Sequence, residues 1–286
     1  MNKWIYIILI IGLLAISTSP VIARFLPLVP AAVIAFWRMT TASAMLWGYS
    51  SIRPQESIKP RNVWLIIAAG FLLAMHFIFW FGALKLTSIA NTTVLGIAAP
   101  AFTLLFERLW YRRKLNWVTI AALLIILVGC IIVQGNDLWS VEGVGLGNIM
   151  ALLSAVFLGS VFLIGGEVRK TTSVITYTRT VYTISSIVLL ISSFVLDNPL
   201  LGYTPTDYFW LFILGLVPTL IGHTAFSYSV KFVSPTVIAA FPLGEPIIAS
   251  YLAWILFTEI VSSYAIAGGP FIIIGLIILI INKKAE

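Results

Sequence analysis

The most constraining feature of this sequence is a succession of ten apolar runs, most of about twenty residues, separated by short polar or Gly/Pro-containing connections. A helix of about 20 apolar residues spans a bilayer, and it satisfies its own backbone hydrogen bonds there. Hydrophobic residues make up 60% of the chain and charged residues 9%, which excludes a water-soluble enzyme. We predict an all-α membrane protein with ten transmembrane helices, over residues 4–23, 31–51, 62–84, 91–110, 116–134, 143–165, 173–196, 207–229, 235–257 and 263–281.

The basic residues are distributed unevenly over the connections between these spans. Thirteen of the seventeen Lys and Arg residues fall on the side of the termini, and only Arg24 and Lys85 fall on the other side. Cytoplasmic loops carry the excess of Lys and Arg, so both termini are predicted to be cytoplasmic, in the plasma (inner) membrane. The net charge of +7 is not accompanied by a basic stripe or an RNA-binding motif, so no nucleic-acid partner is expected.

The two halves of the chain align as copies of one five-span unit, predicted at residues 4–134 and 143–281. An offset of 146 residues superimposes, without gaps, Lys85 on Lys231, Pro100 on Pro246 and Gly129 on Gly275. Upstream, an offset of 141 places Arg38 on Arg179, and one of 142 relates the first span to the sixth. Because each unit has an odd number of spans, the second must insert in the opposite orientation. This predicts inverted-topology repeats around a central cavity, an architecture typical of alternating access.

The second unit carries a recognisable segment, Phe241-Pro242-Leu243-Gly244-Glu245-Pro246-Ile247-Ile248, with Glu259 just past the span end and a glycine-rich closing helix. With the two five-helix units, these features resemble the EamA family of the drug/metabolite transporter superfamily over nearly the whole chain. The resemblance implies a ten-helix bundle that performs secondary transport, often export, of amino acids or related metabolites. Acidic roles cannot be carried into the first unit, because Ala99 stands where the second unit has Glu245 and Arg113 falls opposite Glu259.

Glu245 is the least expected residue of the predicted spans, because it lies about ten residues into the run 235–257. An ionised carboxylate at the bilayer centre costs at least ~2.5 to 3.5 kcal/mol. Protonation, a basic partner such as Arg179 or His223, water in a cavity, or a cationic substrate could compensate this cost. The structural alternative is a fixed ion pair, or a carboxyl group bonded to backbone that the neighbouring prolines expose. We expect Glu245 to bind substrate.

Two spans are interrupted at corresponding places. Pro242 and Pro246 each remove a helix hydrogen bond, and their counterparts at the offset of 146 are Gly96 and Pro100. Freed carbonyl groups at membrane depth are tolerated only where they face protein or water. We therefore expect these four residues to line the cavity, with a kink needed only for packing as the alternative.

The remaining candidates for substrate binding are polar or aromatic residues inside spans. His76 and His223 can bind a ligand or protons, or simply bond to a neighbouring helix. Arg38 and Arg179 can hold a carboxylate, or can bond helix-end carbonyls or reach toward the interface. The hydroxyl of Ser17 can line a polar path or satisfy an interhelical bond. The aromatic candidates, whose ordinary role is packing, are Trp80, Tyr177, Tyr228 and Phe241.

We predict a secondary transporter that moves a small polar metabolite, an amino acid or related compound, with export as the expected direction. Proton coupling and simple recognition of an amine both stay open for Glu245. The single Cys130 and the two histidines give no pattern for a metal site, and no cofactor is expected. The expected partners are the substrate, the lipid bilayer and, with coupling, protons; a monomer or loose dimer is expected. The alternative is a membrane-embedded enzyme acting on a lipid-linked substrate, but the acidic residues are scattered over the connections.

Overall fold

The computed structural model describes residues 4–87, 92, 95–112, 114, 116–134, 144–258, 261 and 263–282. Glu259 and Arg113 lie outside the described residues. The α-helices, in chain order, are α1 (Trp4–Ile16), α2 (Thr18–Ala23), α3 (Ala31–Ile52), α4 (Pro60–Leu86), α5 (Ala98–Leu109), α6 (Trp117–Gln134), α7 (Val144–Val168), α8 (Val174–Val195), α9 (Pro205–Leu214), α10 (Thr224–Ser229), α11 (Pro235–Ala240), α12 (Glu245–Phe257) and α13 (Ser263–Asn282).

Seven helical stretches of the described chain are long and apolar enough to cross a membrane. They are Trp4–Ala23, Pro60–Leu86, Gly145–Val168, Val174–Val195, Pro205–Ser229, Pro235–Phe257 and Ser263–Ile281. Strands are absent from the described residues. The predicted all-α membrane architecture is confirmed, whereas the count of ten spans and the inversion of the second unit stay predictions.

Helix α3 forms over the second apolar run but is not one of these seven, because polar residues lower its hydropathy. Helix α8 provides partners for these polar residues. Thr40 Oγ1 lies 2.6 Å from Ser186 Oγ, and Ser43 Oγ lies 2.7 Å from Thr183 Oγ1. Such hydrogen bonds between helices are a regular means of association inside a membrane.

Two of the long stretches contain irregular turns at prolines. A π-helix occupies Gly215–His223, with Pro218 inside it, between α9 and α10. A 3-10 helix occupies Phe241–Gly244, with Pro242 inside it, between α11 and α12. Proline lacks an N–H group and collides with the preceding turn of an α-helix, and a wider or tighter turn relieves both effects. Both irregular turns lie near the middle of their stretches.

Helices α6 and α13 pack at very short distance through small residues. A Cβ built on Gly129 would lie 2.8 Å from the carbonyl oxygen of Gly268. A Cβ built on Gly275 would lie 2.8 Å from the carbonyl oxygen of Ala122. In a membrane, where apolar burial does not drive helices together, such close backbone contact is a main source of packing energy.

The buried apolar residues form two clusters on either side of the molecule's middle. One cluster contains residues of α3, α4 and α8, including Phe77. The other contains residues of α1, α6, α7, α10, α11 and α13, including Leu158 of α7, and Leu243 of the 3-10 helix. Large apolar side chains also cover the outer surface, and Trp64 and Trp117 are exposed at helix ends, as is typical of the membrane interface. The open volume described below lies between the two clusters.

Candidate functional site

Glu245 is the first residue of α12, directly after the 3-10 helix Phe241–Gly244. Pro246 follows it in the first turn, where the missing N–H of proline is not needed by the helix. The N-terminus of a helix carries partial positive charge, which favours a carboxylate nearby. The chain thus places its acidic group at a helix terminus in the middle of a membrane-spanning stretch.

Glu245 borders two adjoining cavities. The first has an empty volume of about 440 Å³, and the second has one of about 370 Å³. Both are lined by His76, Trp80, Leu158, Pro242 and Glu245. The lining of the first cavity also includes Gly96, Thr92 and Ser154. The lining of the second cavity also includes Arg38, Ser19 and His223.

Arg38 supplies positive charge to this lining from α3, although the residue is only 1% exposed. Its Nε donates to Thr219 Oγ1 at 2.6 Å, and its Nη1 donates to Ser19 Oγ at 2.8 Å. Its guanidinium group lies 4.4 Å from the ring centroid of Phe77, a cation–π contact. Thr219 Oγ1 in turn donates to the carbonyl oxygen of Leu214, five residues back, which is the spacing of the π-helix.

Arg38 and Glu245 face the same cavity without touching. The described residues contain no direct ion pair between them, although both border the second cavity. When Glu245 is ionised, two partly buried charges of opposite sign are screened less than exposed ones, and their attraction offsets part of the cost of placing both groups in the membrane. His223, one of the two basic partners considered for Glu245, also borders the cavity, whereas Arg179 does not.

The two histidines lie next to each other in the lining. Their ring centroids are 6.4 Å apart, and the ring of His223 lies 5.3 Å from that of Phe77. His76 Nδ1 is hydrogen bonded to Ser154 of α7. The lining therefore combines an acid, a guanidinium, two imidazoles and the indole of Trp80, a set that can bind a solute with both charged and apolar parts.

Arg179 lies away from the cavity, with its guanidinium group 4.3 Å from the ring centroid of Trp47. The first residues of α3 and α8, Ala31 and Val174, differ by 143 rather than 141, so aligning the two helices from their starts shifts the predicted pairing by two residues. A difference of two residues rotates a side chain by about 200° around a helix axis. The counterpart of Arg38 in this alignment is Val181, and Arg179 faces another direction.

Several other candidates have partners outside the cavity lining. Tyr177 is buried, with its hydroxyl 3.5 Å from the carbonyl oxygen of Val161. The ring of Tyr228 lies 5.4 Å from that of Phe232, which is a packing contact. Phe241 is also buried, in the cluster that includes Leu243.

Ser17, Pro100 and Pro246 are also absent from the lining of both cavities. The hydroxyl of Ser17 donates to the carbonyl oxygen of Leu13 at 2.7 Å, between α1 and α2. Pro100 and Pro246 are buried in the first turns of α5 and α12. Of the four residues at helix breaks, Gly96 and Pro242 are the two that line the cavity.

Sequence reasoning did not single out Ser154 of the lining or Thr219, the hydrogen-bond partner of Arg38, and in the first span it chose Ser17 rather than Ser19. Ser19 is two residues beyond the chosen Ser17, and the break between α1 and α2 determines which of the two hydroxyls reaches the cavity. Pro218 was the available signal for Thr219, because a proline inside an apolar run indicates irregular backbone. A single serine such as Ser154 gives no signal, since isolated hydroxyls are frequent in membrane helices.

Hydrogen bonds tie together the connections at the end of the molecule where the charge distribution predicts the cytoplasm. Glu56 accepts the backbone N–H of Ser173 at the start of α8. Arg169 donates from Nε to the carbonyl oxygen of Ser227 at 3.0 Å, and from Nη1 to the carbonyl oxygen of Thr172. Burial lowers the pKa of Arg169 below its usual value, but an arginine remains charged at neutral pH. These contacts join α7, α8 and α10 at one end.

Comparisons with known proteins agree with a membrane transporter. The model of the EamA-like transporter family matches residues 2–134 and 145–281. The chain is 23% identical over 262 residues to the uncharacterized transporter YxxF of Bacillus subtilis, covering 90% of this chain and 83% of that protein. It is 23% identical over 259 residues to the pseudopaline exporter CntI of Pseudomonas aeruginosa, covering 89% and 88%. A solved crystal structure shares its fold, with a TM-score of 0.82, 17% identity and 100% of both chains covered.

The family match covers both halves of the chain, and the described helices are those of an integral membrane protein. The relatives that match over most of their length carry transporter names. The chain belongs to the EamA-like transporter family of the drug/metabolite transporter superfamily.

Proposed function

We propose that this protein is a secondary active transporter that exports a small polar metabolite, an amino acid or a related compound, by alternating access. The observation that carries the proposal is Glu245, a carboxyl group without a hydrogen-bond or ion-pair partner among the described residues, on a cavity in the middle of the helices. Arg38 and His76 border the same space. A solute with a positive and a negative group would satisfy Glu245 and Arg38 at once. The pseudopaline exporter among the relatives supports export as the direction.

The transport cycle needs two units that move against each other, and we place them at residues 4–134 and 143–281 as five-span inverted repeats. The packing of α6 on α13 supports this arrangement. The offset of 146 converts Gly129 into Gly275 and Ala122 into Gly268, so the contact of Gly129 with Gly268 becomes that of Gly275 with Ala122. A contact that maps onto itself with its partners exchanged is what a twofold axis in the membrane plane produces.

A second pair of contacts supports the same relation. A Cβ built on Gly70 would lie 3.1 Å from the carbonyl oxygen of Val181, and one built on Gly215 would lie 3.1 Å from that of Arg38. Gly215 follows Gly70 by 145 residues, and Val181 follows Arg38 by 143. The crossing of α4 with α8 is therefore repeated by the crossing of the π-helix with α3.

Flux into proteoliposomes tests the role of Glu245. We expect an imposed pH gradient to drive uptake of members of a panel of radiolabelled amino acids, amines and nucleotides by the wild-type protein. Glu245→Gln keeps the size of the side chain but removes its charge, and we expect it to reduce flux at least about tenfold, the factor that 1.4 kcal/mol represents. The matched control is Glu167→Gln, whose carboxylate pairs with Lys170 on the surface.

The dependence on the gradient separates the two roles of Glu245. If Glu245 carries the proton, residual exchange by Glu245→Gln will no longer respond to the pH gradient. If it only recognises an amine, the variant will lose amine-bearing solutes and still respond to the gradient with others. Undiminished flux of every solute in the variant would contradict the proposal.

We also propose that both termini are cytoplasmic, in the inner membrane, and that the protein is a monomer or a loose dimer. Cys130 is buried, so replacing it by alanine gives a background in which single cysteines report sidedness. A cysteine at Gln55 should react only with a reagent that enters the cell, and one at Leu201 should react with an impermeant reagent. The opposite pattern would reverse the topology.

The membrane-embedded enzyme is the alternative to this proposal. An enzyme acting on a lipid-linked substrate would need an acidic cluster, or a nucleophile with its base, at a membrane interface. Among the described residues, Glu245 is the single acidic side chain in the lining of the two cavities. The described residues also contain no group of three or more His, Cys, Asp or Glu placed to hold a metal ion.

A further inference from the structure

Ser154 contacts His76 through two different atoms. Ser154 lies on α7, is buried, and meets α4 at His76. The Nδ1 atom of His76 is 2.9 Å from the carbonyl oxygen of Ser154 and 2.8 Å from its Oγ. The same Oγ is 3.0 Å from the carbonyl oxygen of His76. The imidazole is thus held at Nδ1, by one residue of the neighbouring helix.

These contacts decide which ring nitrogen of His76 carries the proton. A carbonyl oxygen can only accept, so Nδ1 must donate to the carbonyl oxygen of Ser154. The hydroxyl of Ser154 has a single proton, which it donates to the carbonyl oxygen of His76, and its oxygen is then a second acceptor for Nδ1. Neutral His76 is therefore the Nδ1–H tautomer, with its lone pair on Nε2.

The Nε2 atom of His76 is the ring nitrogen that these contacts leave open. It makes no hydrogen bond with the described residues, although His76 lines both cavities. It is also not one of the buried polar side-chain atoms without a partner, which within the described ranges are Arg179 Nε, Ser193 Oγ and Ser229 Oγ. The nitrogen that is free to accept is therefore the one that a solute can reach.

We infer that Ser154 is a positioning residue, which holds His76 as a hydrogen-bond acceptor for the transported solute. The inference rests on the proposed function and adds a requirement on the solute, which must present an N–H or O–H group to Nε2. An ammonium, an amine or a hydroxyl meets this requirement, and a simple carboxylate does not. His223 has no such anchor among the described residues, so its tautomer is not set in the same way.

Histidine-selective ¹⁵N labelling tests the tautomer, because the chain contains only two histidines. The variant His223→Gln contains a single histidine, so its remaining signals are those of His76. We expect the wild-type protein to show one-bond coupling to a proton at Nδ1 and an unprotonated Nε2. A proton on Nε2, or an equal mixture of tautomers, would overturn the inference.

The variant Ser154→Ala tests the hydroxyl. Its carbonyl oxygen is retained, so we expect the same tautomer, but the Nδ1 proton loses one of two acceptors and should exchange faster with water. The matched control is Ser160→Ala on the same helix, since the Ser160 hydroxyl donates at 2.8 Å to the carbonyl oxygen of Val156 in its own helix. Equal effects of the two variants on the His76 signals would contradict a positioning role for Ser154.

Flux measurements test the role of Nε2. Glutamine can place its amide oxygen near the position of Nε2, whereas asparagine reaches only as far as Nδ1. With the panel of radiolabelled amino acids and amines, we expect His76→Gln to retain several-fold more flux than His76→Asn. The reverse order, or equal loss, would overturn the inference. If the wild-type protein moves none of these solutes, the proposed function fails, and the ¹⁵N spectra still decide the tautomer.

Discussion

Two helix crossings in this molecule share one backbone arrangement and differ in chemistry. Where α4 crosses α7, the side chains of His76 and Ser154 each meet the carbonyl oxygen of the other residue. Where α1 crosses the π-helix, Gly12 and Gly222 are the residues that the proposed repeat relates to Ser154 and His76, at offsets of 142 and 146. A Cβ built on Gly12 would lie 3.4 Å from the carbonyl oxygen of Gly222, and one built on Gly222 would lie 3.3 Å from that of Gly12.

This difference distinguishes the residues that close packing of two helices requires from the residues that the candidate site requires. Two glycines are enough to bring the helices together, so the polar pair is not required for packing as such. The polar pair lines the first cavity, whereas Gly12 and Gly222 line neither cavity and contact apolar side chains such as those of Ile16 and Phe226. Under the proposed inverted repeats the two crossings are equivalent positions, and only one of them carries polar side chains.

The largest effect that would sharpen this comparison is expected for Gly222→Val. A Cβ at this position would lie 2.7 Å from Ile16 Cγ2 and 3.1 Å from the backbone nitrogen of Ile16, so the helices must separate. Overpacking of this kind costs about 3 kcal/mol or more, and the thermal midpoint in detergent should fall accordingly. The control is Gly48→Val on α3, where nothing lies within 4 Å of the added Cβ. Equal stability of the two variants would mean that the glycine crossing is not tight.

The next effect concerns Thr219, which connects the π-helix to the site. Thr219→Val keeps the shape of the side chain but removes the acceptor for Arg38 Nε, which leaves a buried charged donor unpaired. We expect about 2 kcal/mol of destabilisation and reduced flux. Thr180→Val is the control, because that hydroxyl bonds only the carbonyl oxygen of Thr176 in its own helix. If both variants behave alike, the hydrogen bond from Arg38 to Thr219 contributes nothing to the site.

Ser154→Gly replaces one of the two polar residues at the crossing of α4 with α7 by glycine, the residue found at the crossing of α1 with the π-helix. It removes a hydroxyl with two hydrogen bonds and places a glycine inside a helix, and we expect about 1.5 kcal/mol of destabilisation. Flux should fall by more than stability alone explains, because His76 is less firmly held. Unfolding curves and flux at a temperature where the variant is folded measure the two effects. Unchanged flux would break the comparison.

The smallest effect is expected for Ser229→Ala. Ser229 ends α10, in the same membrane-spanning stretch as the π-helix, and its buried hydroxyl is without a hydrogen-bond partner among the described residues. Removing an unsatisfied buried hydroxyl is nearly neutral or stabilising, so we expect a change within about 0.5 kcal/mol. A clear loss of stability in the thermal unfolding of this variant would show that its hydroxyl has a partner in the membrane.

Long, strongly apolar segments made the helices predictable from sequence. The run predicted at 263–281 is the helix Ser263–Asn282, and the run at 235–257 is occupied by α11, the 3-10 helix and α12. Hydrophobicity over twenty residues leaves little choice of structure in a membrane. It does not reveal whether Pro218 kinks the chain or widens a turn, because neighbouring helices decide that.

The site residues were predictable from sequence where a polar or charged side chain is energetically costly in the membrane. They were less predictable where the orientation of a helix around its axis decides which way a side chain points. Glu245 and His76 are costly at this depth and do border the cavity. Arg179 is equally costly, yet it lies against Trp47, because a shift of two residues along a helix turns a side chain to nearly the opposite face. Thr219 carries no cost that would identify it, and its role depends on the widened turn in which it lies.

That widened turn has a consequence for the balance between the halves. Gly215 follows Gly70 by 145 residues, but Lys231 follows Lys85 by 146, so in the proposed repeat the second half holds one residue more within this stretch. The surplus residue is accommodated in the π-helix, since such a turn contains more residues than an α-helical one. Identical halves would make the inward-open and outward-open conformations equal in energy. Under the proposed alternating access, a single inserted residue would remove that degeneracy and give the protein a preferred resting conformation.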